Sequence, residues 1–247
     1  RRVEIDKGDG KTRPLGIPAV RDRIVQTALK LTIEPIFEEA FSENSFEYRP
    51  EDGWKDALRE VDRLLRNGHH FVVDADLKSF FDTIPHDRLL KEVGKRIADT
   101  RILGLIEKFL TQGVMIDQDF HASELGTPQG GVISPLLANI YLDPLDQHIA
   151  AKGHKMIRYA YDFVILCETR EEAERALRQV QEWTATAGLT LHPEKTRLVN
   201  ARREGFDFLG YRFERNRRRP REKSLKKIKA TIRAKTPRRS GQSLDDI

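Results

Sequence analysis

Two segments of the sequence carry an apolar run into or out of carboxylates. In the stretch 72–82, Val-Val-Asp-Ala-Asp-Leu-Lys-Ser-Phe-Phe-Asp, a β-branched pair leads into Asp74 and Asp76. In the stretch 159–166, Tyr-Ala-Tyr-Asp-Phe-Val-Ile-Leu, Asp162 stands at the head of four apolar residues. A strand is rigid and its tip is exposed, so a side chain at a strand end can be held in a fixed place. Carboxylate oxygens gathered there suit hard cations such as Mg²⁺. Two such ions about 3.5–4 Å apart can activate a 3′ hydroxyl and stabilise a leaving pyrophosphate. The same aspartates also fit a plainer role, as caps of the turns in which the strands end.

The elements that must position these residues follow from hydrophobic period. Residues 71–77 read as a buried strand ending at a polar site, and 156–166 as two strands joined at a polar turn. Residues 20–41 carry Val20, Ile24, Val25, Ala28, Leu29, Leu31 and Ile36 at helical spacing. Further helical patterns run over 52–67, 86–97, 100–111 and 170–187, the last stopping at Gly188. A Gly/Pro turn at 126–131 precedes a helix from about 132 to 150, with Ser134 as its cap and Pro135 at the first helical position. Short strands are expected near 189–199 and 206–213, and a loop or short hairpin over 1–18. Helix and strand mix without regular βαβ alternation, so the expected class is α+β.

The 247 residues are enough for one large domain or two small ones. Charged residues make up 34%, above the roughly 25% of an ordinary domain, and the formal net charge is +5. That balance points to a polyanion such as nucleic acid, and fits a merely well-charged surface equally. The single cysteine, Cys167, excludes an internal disulfide and fits a reducing compartment. No apolar run reaches the ~18 residues of a membrane span, so no membrane partner is expected. The seven histidines show no ligand spacing, and no zinc site is predicted. The chain starts at Arg1 rather than Met and reads as a fragment of a longer protein. From Arg215 to Arg239 roughly half the residues are Lys or Arg. Such a block reads as a solvated or disordered tail, or else as an arm that binds a phosphate backbone.

Three of these segments resemble, in order, the successive palm motifs of group II intron-encoded reverse transcriptases and their bacterial, retron-like relatives. They are 71–90 (FVVDADLKSFFDTIPHDRLL), 125–143 (LGTPQGGVISPLLANIYLD) and 156–166 (MIRYAYDFVIL). The stretch 7–18 (KGDGKTRPLGIP) resembles the fingers motif, 188–199 (GLTLHPEKTRLV) the last palm motif and 206–213 (FDFLGYRF) the primer grip. The resemblance runs from Arg1 to about Lys235. It implies a right-hand polymerase in α+β form, with an antiparallel palm sheet packed on helices. Fingers are expected over 1–70, palm over 71–213 with about 86–125 partly fingers, and the basic start of a thumb over 214–247. It implies an RNA-directed DNA polymerase that uses two Mg²⁺ ions (or Mn²⁺), dNTPs, an RNA template, a DNA or RNA primer, and intron RNA as a further partner. A bacterial cytoplasm or an organelle interior, and not secretion, is the expected setting.

Carried over residue by residue, the resemblance makes Asp76 and Asp162 metal ligands and gives the backbone carbonyl of Leu77 to the second ion. Phe81 takes the bulky position that excludes a ribose 2′ hydroxyl. Lys7, Arg13, Gln129 and Lys195 border the nucleotide. Leu209 and Gly210 match the primer grip, and Arg217, Arg218, Lys226 and Lys227 become template–primer or RNA contacts. Asp74, Asp82 and His192 take structural roles. The main departure is Tyr161. The family reads Tyr-Ala-Asp-Asp where this chain reads Tyr159-Ala160-Tyr161-Asp162. A phenol has a reference pKa near 10, is neutral at pH 7 and binds Mg²⁺ poorly. Polymerisation is therefore expected to be impaired, and the alternative is a maturase-like module that holds intron RNA without copying it. Further departures are Glu47 for Gly, Glu51-Asp52 for Gly-Arg, Asp6 for Pro and Ala40 for Asp.

Overall fold

The computed structural model describes residues 2–6, 12–50, 53–116, 119–121, 125–128, 130–215 and 217–236. Strands β1 (Arg2–Asp6) and β2 (Thr12–Gly16) form an antiparallel hairpin. Helices α1 (Val20–Glu38) and α2 (Trp54–Arg66) lead to strand β3 (Phe71–Asp76). A single helical turn, α3 (Phe80–Thr83), follows, then α4 (His86–Gly94) and α5 (Thr100–Thr111). A small hairpin of β4 (Val114–Ile116) and β5 (Asp119–His121) precedes α6 (Ser134–Ala151). Strands β6 (Lys155–Tyr159) and β7 (Asp162–Cys167), helix α7 (Arg170–Thr186) and β8 (Arg197–Asn200) complete the centre of the chain. The chain continues with β9 (Phe206–Phe208), β10 (Tyr211–Glu214), β11 (Arg217–Pro220) and α8 (Glu222–Lys235).

The central sheet is antiparallel, in the order β6-β7-β3-β8. Side chains alternate across a strand, and here the alternation sorts two cores. Val73, Ala75, Phe163, Ile165, Cys167 and Met156 face one core, built with α4, α5, α6 and α7. Val72, Val164, Leu166, Ile157 and Val199 face the other, built with α2 and the β9–β11 sheet. Both faces are covered, so β7 is one apolar run, Phe-Val-Ile-Leu-Cys, with all five residues buried. Asp74, Asp76 and Asp162 fall on the second face by the same alternation.

Three sequence expectations need correction. Helix α1 forms, but its buried residues are Gln26, Leu29, Ile33 and Phe37. Val20, Ile24, Val25, Leu31 and Ile36 are exposed. Gln26 explains the misread face: its Oε1 accepts from the backbone N–H groups of Val132 and Ile133 at 2.8 and 3.4 Å, so a polar residue sits where period counting looks for an apolar one. At α6 the cap residue is Ile133 and no side chain caps the helix; the Ser134 hydroxyl donates instead to the Pro128 carbonyl at 3.0 Å. The basic segment after residue 214 is not a plain tail, because Arg217–Pro220 pairs with β10 and Glu222–Lys235 is helical. No helix among the described residues is long and apolar enough to cross a membrane.

Candidate active site

The site begins with the register of two strands. Asp76 on β3 lies directly opposite Asp162 on β7. Tyr159 pairs with Asp162, so Ala160 and Tyr161 are the two-residue turn of the β6–β7 hairpin. Ala160 has φ 55°, a region that disfavours any residue with a Cβ. It is held there from below. The buried Arg158 guanidinium donates to the Ala160 carbonyl at 2.8 Å and to Asn139 Oδ1 at 2.9 Å. It also donates to both oxygens of Asp146, with Nε at 2.8 and 3.0 Å. Asn139 in turn donates to the Glu47 carbonyl at 2.8 Å. The Glu47 carboxyl is hydrogen-bonded with the Tyr159 phenol, and its burial pushes its pKa up.

A cleft of about 590 Å³ opens beside this turn. Asp76, Leu77, Phe81, Tyr161 and Lys195 all line it, together with Thr12 and Leu15 of β2, Tyr48, Gly130 and His192. Elements far apart in sequence thus converge on one place. The convergence depends on two glycines. Gly126 has φ +83°, and a Cβ there would stand 2.5 Å from the Phe81 carbonyl. Gly130 has φ +105°, and a Cβ there would collide with the Gly16 carbonyl of β2. The glycine turn therefore docks both on α3 and on the β1–β2 hairpin.

Electrostatics at the paired ends of β3 and β7 are unbalanced, although of the three aspartates there only Asp76 lines the cleft. Burial pushes Asp162 up to about 7, with Asp76 and Asp74 adding to the rise and Lys195 and Arg221 opposing it. Burial also raises Asp74, against the pull of Arg197, whose Nε and Nη2 donate to it at 3.0 and 2.9 Å. Asp76 holds the Lys195 ammonium in an ion pair. The Asp76 carbonyl accepts from His192 N–H at 2.8 Å, and Leu77 bridges to Leu191, so the loop carrying Lys195 is bound along the end of β3. The Tyr161 ring lines the cleft together with Asp76 and Lys195. It packs edge-on against Phe81, with centroids 5.9 Å apart, and near Phe80 at 6.1 Å.

The other sequence-predicted residues lie elsewhere. Lys7 and Gln129, like Glu51 and Asp52, are outside the described residues, as is the side chain of Arg13. Leu209 (φ 47°) and Gly210 (φ 82°) form the β9–β10 turn, and the Gly210 carbonyl accepts from Arg221 N–H at 3.0 Å. Arg218 is paired with Asp62 at 3.0 Å and stands over the Tyr211 ring at 5.5 Å. Lys226 is paired with Glu222 at 2.7 Å. Arg217 and Lys227 are exposed. None of these six lines the cleft. Sequence reasoning missed Arg158, Asn139 and Asp146. The only signal was an arginine inside an apolar strand run, directly before the Tyr-Ala-Tyr-Asp turn.

The reverse transcriptase (RNA-dependent DNA polymerase) family profile matches residues 5–213. Protein YkfC of Escherichia coli K12 is 36% identical over 258 residues, covering 89% of this chain and 68% of YkfC. Group II intron-encoded protein LtrA of Lactococcus lactis is 39% identical over 150 residues, covering 60% of this chain and 25% of LtrA. Apo telomerase of Candida tropicalis superposes with a TM-score of 0.65 at 11% identity, covering 90% of this chain and 54% of that one, and this likeness speaks for the fold alone. The chain thus spans a quarter of LtrA and about half of the telomerase chain. With the family profile spanning the strands, the glycine turn and the cleft that they form, the chain belongs to the reverse transcriptase (RNA-dependent DNA polymerase) family.

Proposed function

We propose that the chain is the fingers, palm and first thumb segment of a group II intron-type RNA-directed DNA polymerase whose nucleotidyl transfer is weakened by Tyr161. Fingers span 1–70, palm 71–213 and the thumb start 214–247. The observation that carries the reading is the pairing of Asp76 with Asp162 across β3 and β7, with Asp76 lining a cleft edged by Phe81 and Lys195 and Asp162 directly beside it in the sheet. Two carboxylates in register, one of them pushed up to about 7 by burial and then by Asp76 and Asp74, suit a divalent cation. The set fits one ion and is one carboxylate short of a full set for two. Bound there, Mg²⁺ would polarise the primer 3′ hydroxyl and stabilise charge on the departing pyrophosphate.

The protein's own groups do the rest. Phe81, fixed by Phe80 and by Tyr161, fills the volume that a 2′ hydroxyl needs. Lys195, held at the cleft by Asp76, would supply a cation for a triphosphate oxygen. Lys7, Arg13 and Gln129 complete the nucleotide pocket, and Leu77 lends its carbonyl. Template and primer lie along the face of Leu209 and Gly210 toward the basic arm. The Lys195–Asp76 pair and the Tyr161 ring also support the second reading, an intron-RNA-binding module that no longer copies.

Single-nucleotide extension of a primed RNA, with Mg²⁺ and with Mn²⁺, separates the two. The Tyr161→Asp variant is expected to extend about 10²–10³ faster than the parent, the usual scale for restoring a lost transition-state donor. RNA affinity should be unchanged, because phosphate contacts lie mainly elsewhere. Both chains are compared in a protein that carries a complete thumb. Equal extension by the two would sink the assignment of Tyr161. Inactivity of both with tight RNA binding would favour the binding module.

A further inference from the structure

The end of the central sheet opposite the cleft carries a second cluster of ligand atoms. Cys167 closes β7, five residues from Asp162, which at about 3.4 Å per residue puts it roughly 17 Å from that carboxylate's end of the strand. His154 immediately precedes β6, whose pairing of Lys155 with Leu166 sets it beside Cys167. Glu172 lies in the first turn of α7, where its backbone N–H donates to the Thr169 hydroxyl at 3.1 Å. A ring nitrogen of His154, Sγ of Cys167 and a Glu172 carboxylate oxygen all lie within 4.8 Å of one another.

Two observations set this group apart from ordinary packing. His154 is 7% exposed, and its Nδ1 is buried without a hydrogen-bond partner. That atom stands 3.5 Å from Glu172 Oε1, close to the ~3.3 Å edge of a tetrahedron with ~2.0 Å bonds to nitrogen and oxygen. Glu172 is itself aimed, since its Oε2 accepts from the Glu168 N–H at 3.0 Å, leaving Oε1 toward His154. The donor set is one sulfur, one imidazole nitrogen and one carboxylate. This combination selects a borderline-soft divalent ion and disfavours Mg²⁺ or Ca²⁺.

We propose that His154, Cys167 and Glu172 form a Zn²⁺-class site, separate from the polymerase cleft, that clasps the start of α7 to the β6–β7 hairpin. Charge supports it: a dication with one thiolate, one carboxylate and a neutral imidazole sums to zero, so no net charge is buried. On binding, the Cys167 S–H bond breaks, its proton leaves to solvent and the sulfur pair is donated to the ion. Glu172 is only partly buried, so the ion enters from its side, and a water takes the fourth position. Sequence spacing could not reveal the site, because its ligands come from a strand end, a loop and a helix start.

Cys167 is the sole cysteine of the chain, which makes the test specific. Co²⁺ is titrated into the metal-free protein and the near-ultraviolet absorbance followed. A thiolate-to-cobalt charge-transfer band saturating at one equivalent and bleached by Zn²⁺ is expected, and carboxylates in the cleft cannot produce it. Asp76→Asn should leave the band intact. Glu172→Gln and His154→Gln should each weaken Co²⁺ binding by about tenfold or more, with the fold checked by circular dichroism. Absence of the band in the folded parent chain overturns the site. So does a band indifferent to both Glu172→Gln and His154→Gln, which would mean coordination by the cysteine alone.

Discussion

At the scale of the residue, the site turns on what each carboxylate faces. Under the proposed reading Tyr161 leaves the cleft one carboxylate short, yet its ring is not idle. Contacts with Phe80 and Phe81 of the kind seen here are worth about 0.5–1.5 kcal/mol each beyond burial, so the tyrosine fastens the hairpin turn to α3. Asp162 shows the cost of burying a carboxylate beside others. Its ordinary value of 3.8 rises to about 7 in the folded chain, through burial first and then Asp76 and Asp74. The folded state therefore holds a proton between pH ~4 and ~7 that the unfolded state has released, so metal-free stability falls as pH rises through that window and levels above it. Asp162→Asn removes the slope. In urea unfolding with chelator present, the variant should be more stable than the parent above pH 7, and the difference should close toward pH 4. A difference that stays constant across that range would show that Asp162 carries no such burden. Asp76 and Asp162 were both legible in the sequence, because acids beside a β-branched run mark strand ends. That Lys195 pairs with Asp76 was not legible, because the two are 119 positions apart.

At the scale of the element, the β6–β7 hairpin is the part on which the site hangs, and its support is a buried ion pair. Arg158 and Asp146 are both nearly inaccessible, and the guanidinium satisfies Asp146, Asn139 and the Ala160 carbonyl together. Removing one partner of such a pair leaves an uncompensated buried charge, which costs about 3–5 kcal/mol, whereas replacing both with apolar groups can be nearly neutral. Arg158→Met should therefore destabilise the chain by about 3–5 kcal/mol, and adding Asp146→Leu should recover most of it. The Ala160 carbonyl remains without its donor in the double variant, so amide hydrogen exchange across Tyr159–Asp162 should stay faster than in the parent. Exchange that returns to parental rates in the double variant would mean that Arg158 stabilises the core without positioning the turn. Elements were read well where period and boundary signals agreed, as at β3, α5 and α7. The face of α1 was misread because Gln26 replaces an apolar anchor with two backbone hydrogen bonds. The strand near 189–199 shrank to β8, because the preceding residues wrap the end of β3 to deliver Lys195.

At the scale of the whole molecule, the fold separates two kinds of charge. Carboxylates gather on one end of the central sheet, while cations concentrate after residue 214, on β11 and α8. Composition made the basic segment visible from the sequence; its strand and helix were not visible, since a strand of arginines such as Arg217–Arg219 has no apolar alternation to announce it. It is held instead by pairing with β10 and by Arg218, which spans Asp62 and the Tyr211 ring. Helix α8 buries none of its residues, so its lysines and arginines face outward on a formed scaffold. A polyanion that follows the arm displaces counterions from its own phosphates, and log K falls with log salt at about 0.7–0.9 per phosphate contacted. Residues 217–236 hold ten Lys or Arg side chains against a single acid, Glu222. Arg218, Arg219 and Lys226 already hold carboxylates, so fewer than ten phosphates can be neutralised there. If about half of the ten engage, ending the chain after residue 216 should flatten the salt dependence of RNA binding by about 3–5 in slope. The measurement is fluorescence anisotropy of a labelled primer–template RNA over a salt series, on both chains. Ion pairs with Asp62 and Glu214 are lost on truncation, so thermal unfolding is followed in parallel to exclude a misfolded palm. A truncated chain that is folded, and binds with the parent's affinity and slope, would leave the arm with no part in holding nucleic acid. Its pairing with β10 and Asp62 would then be its whole role, a clasp over the second core.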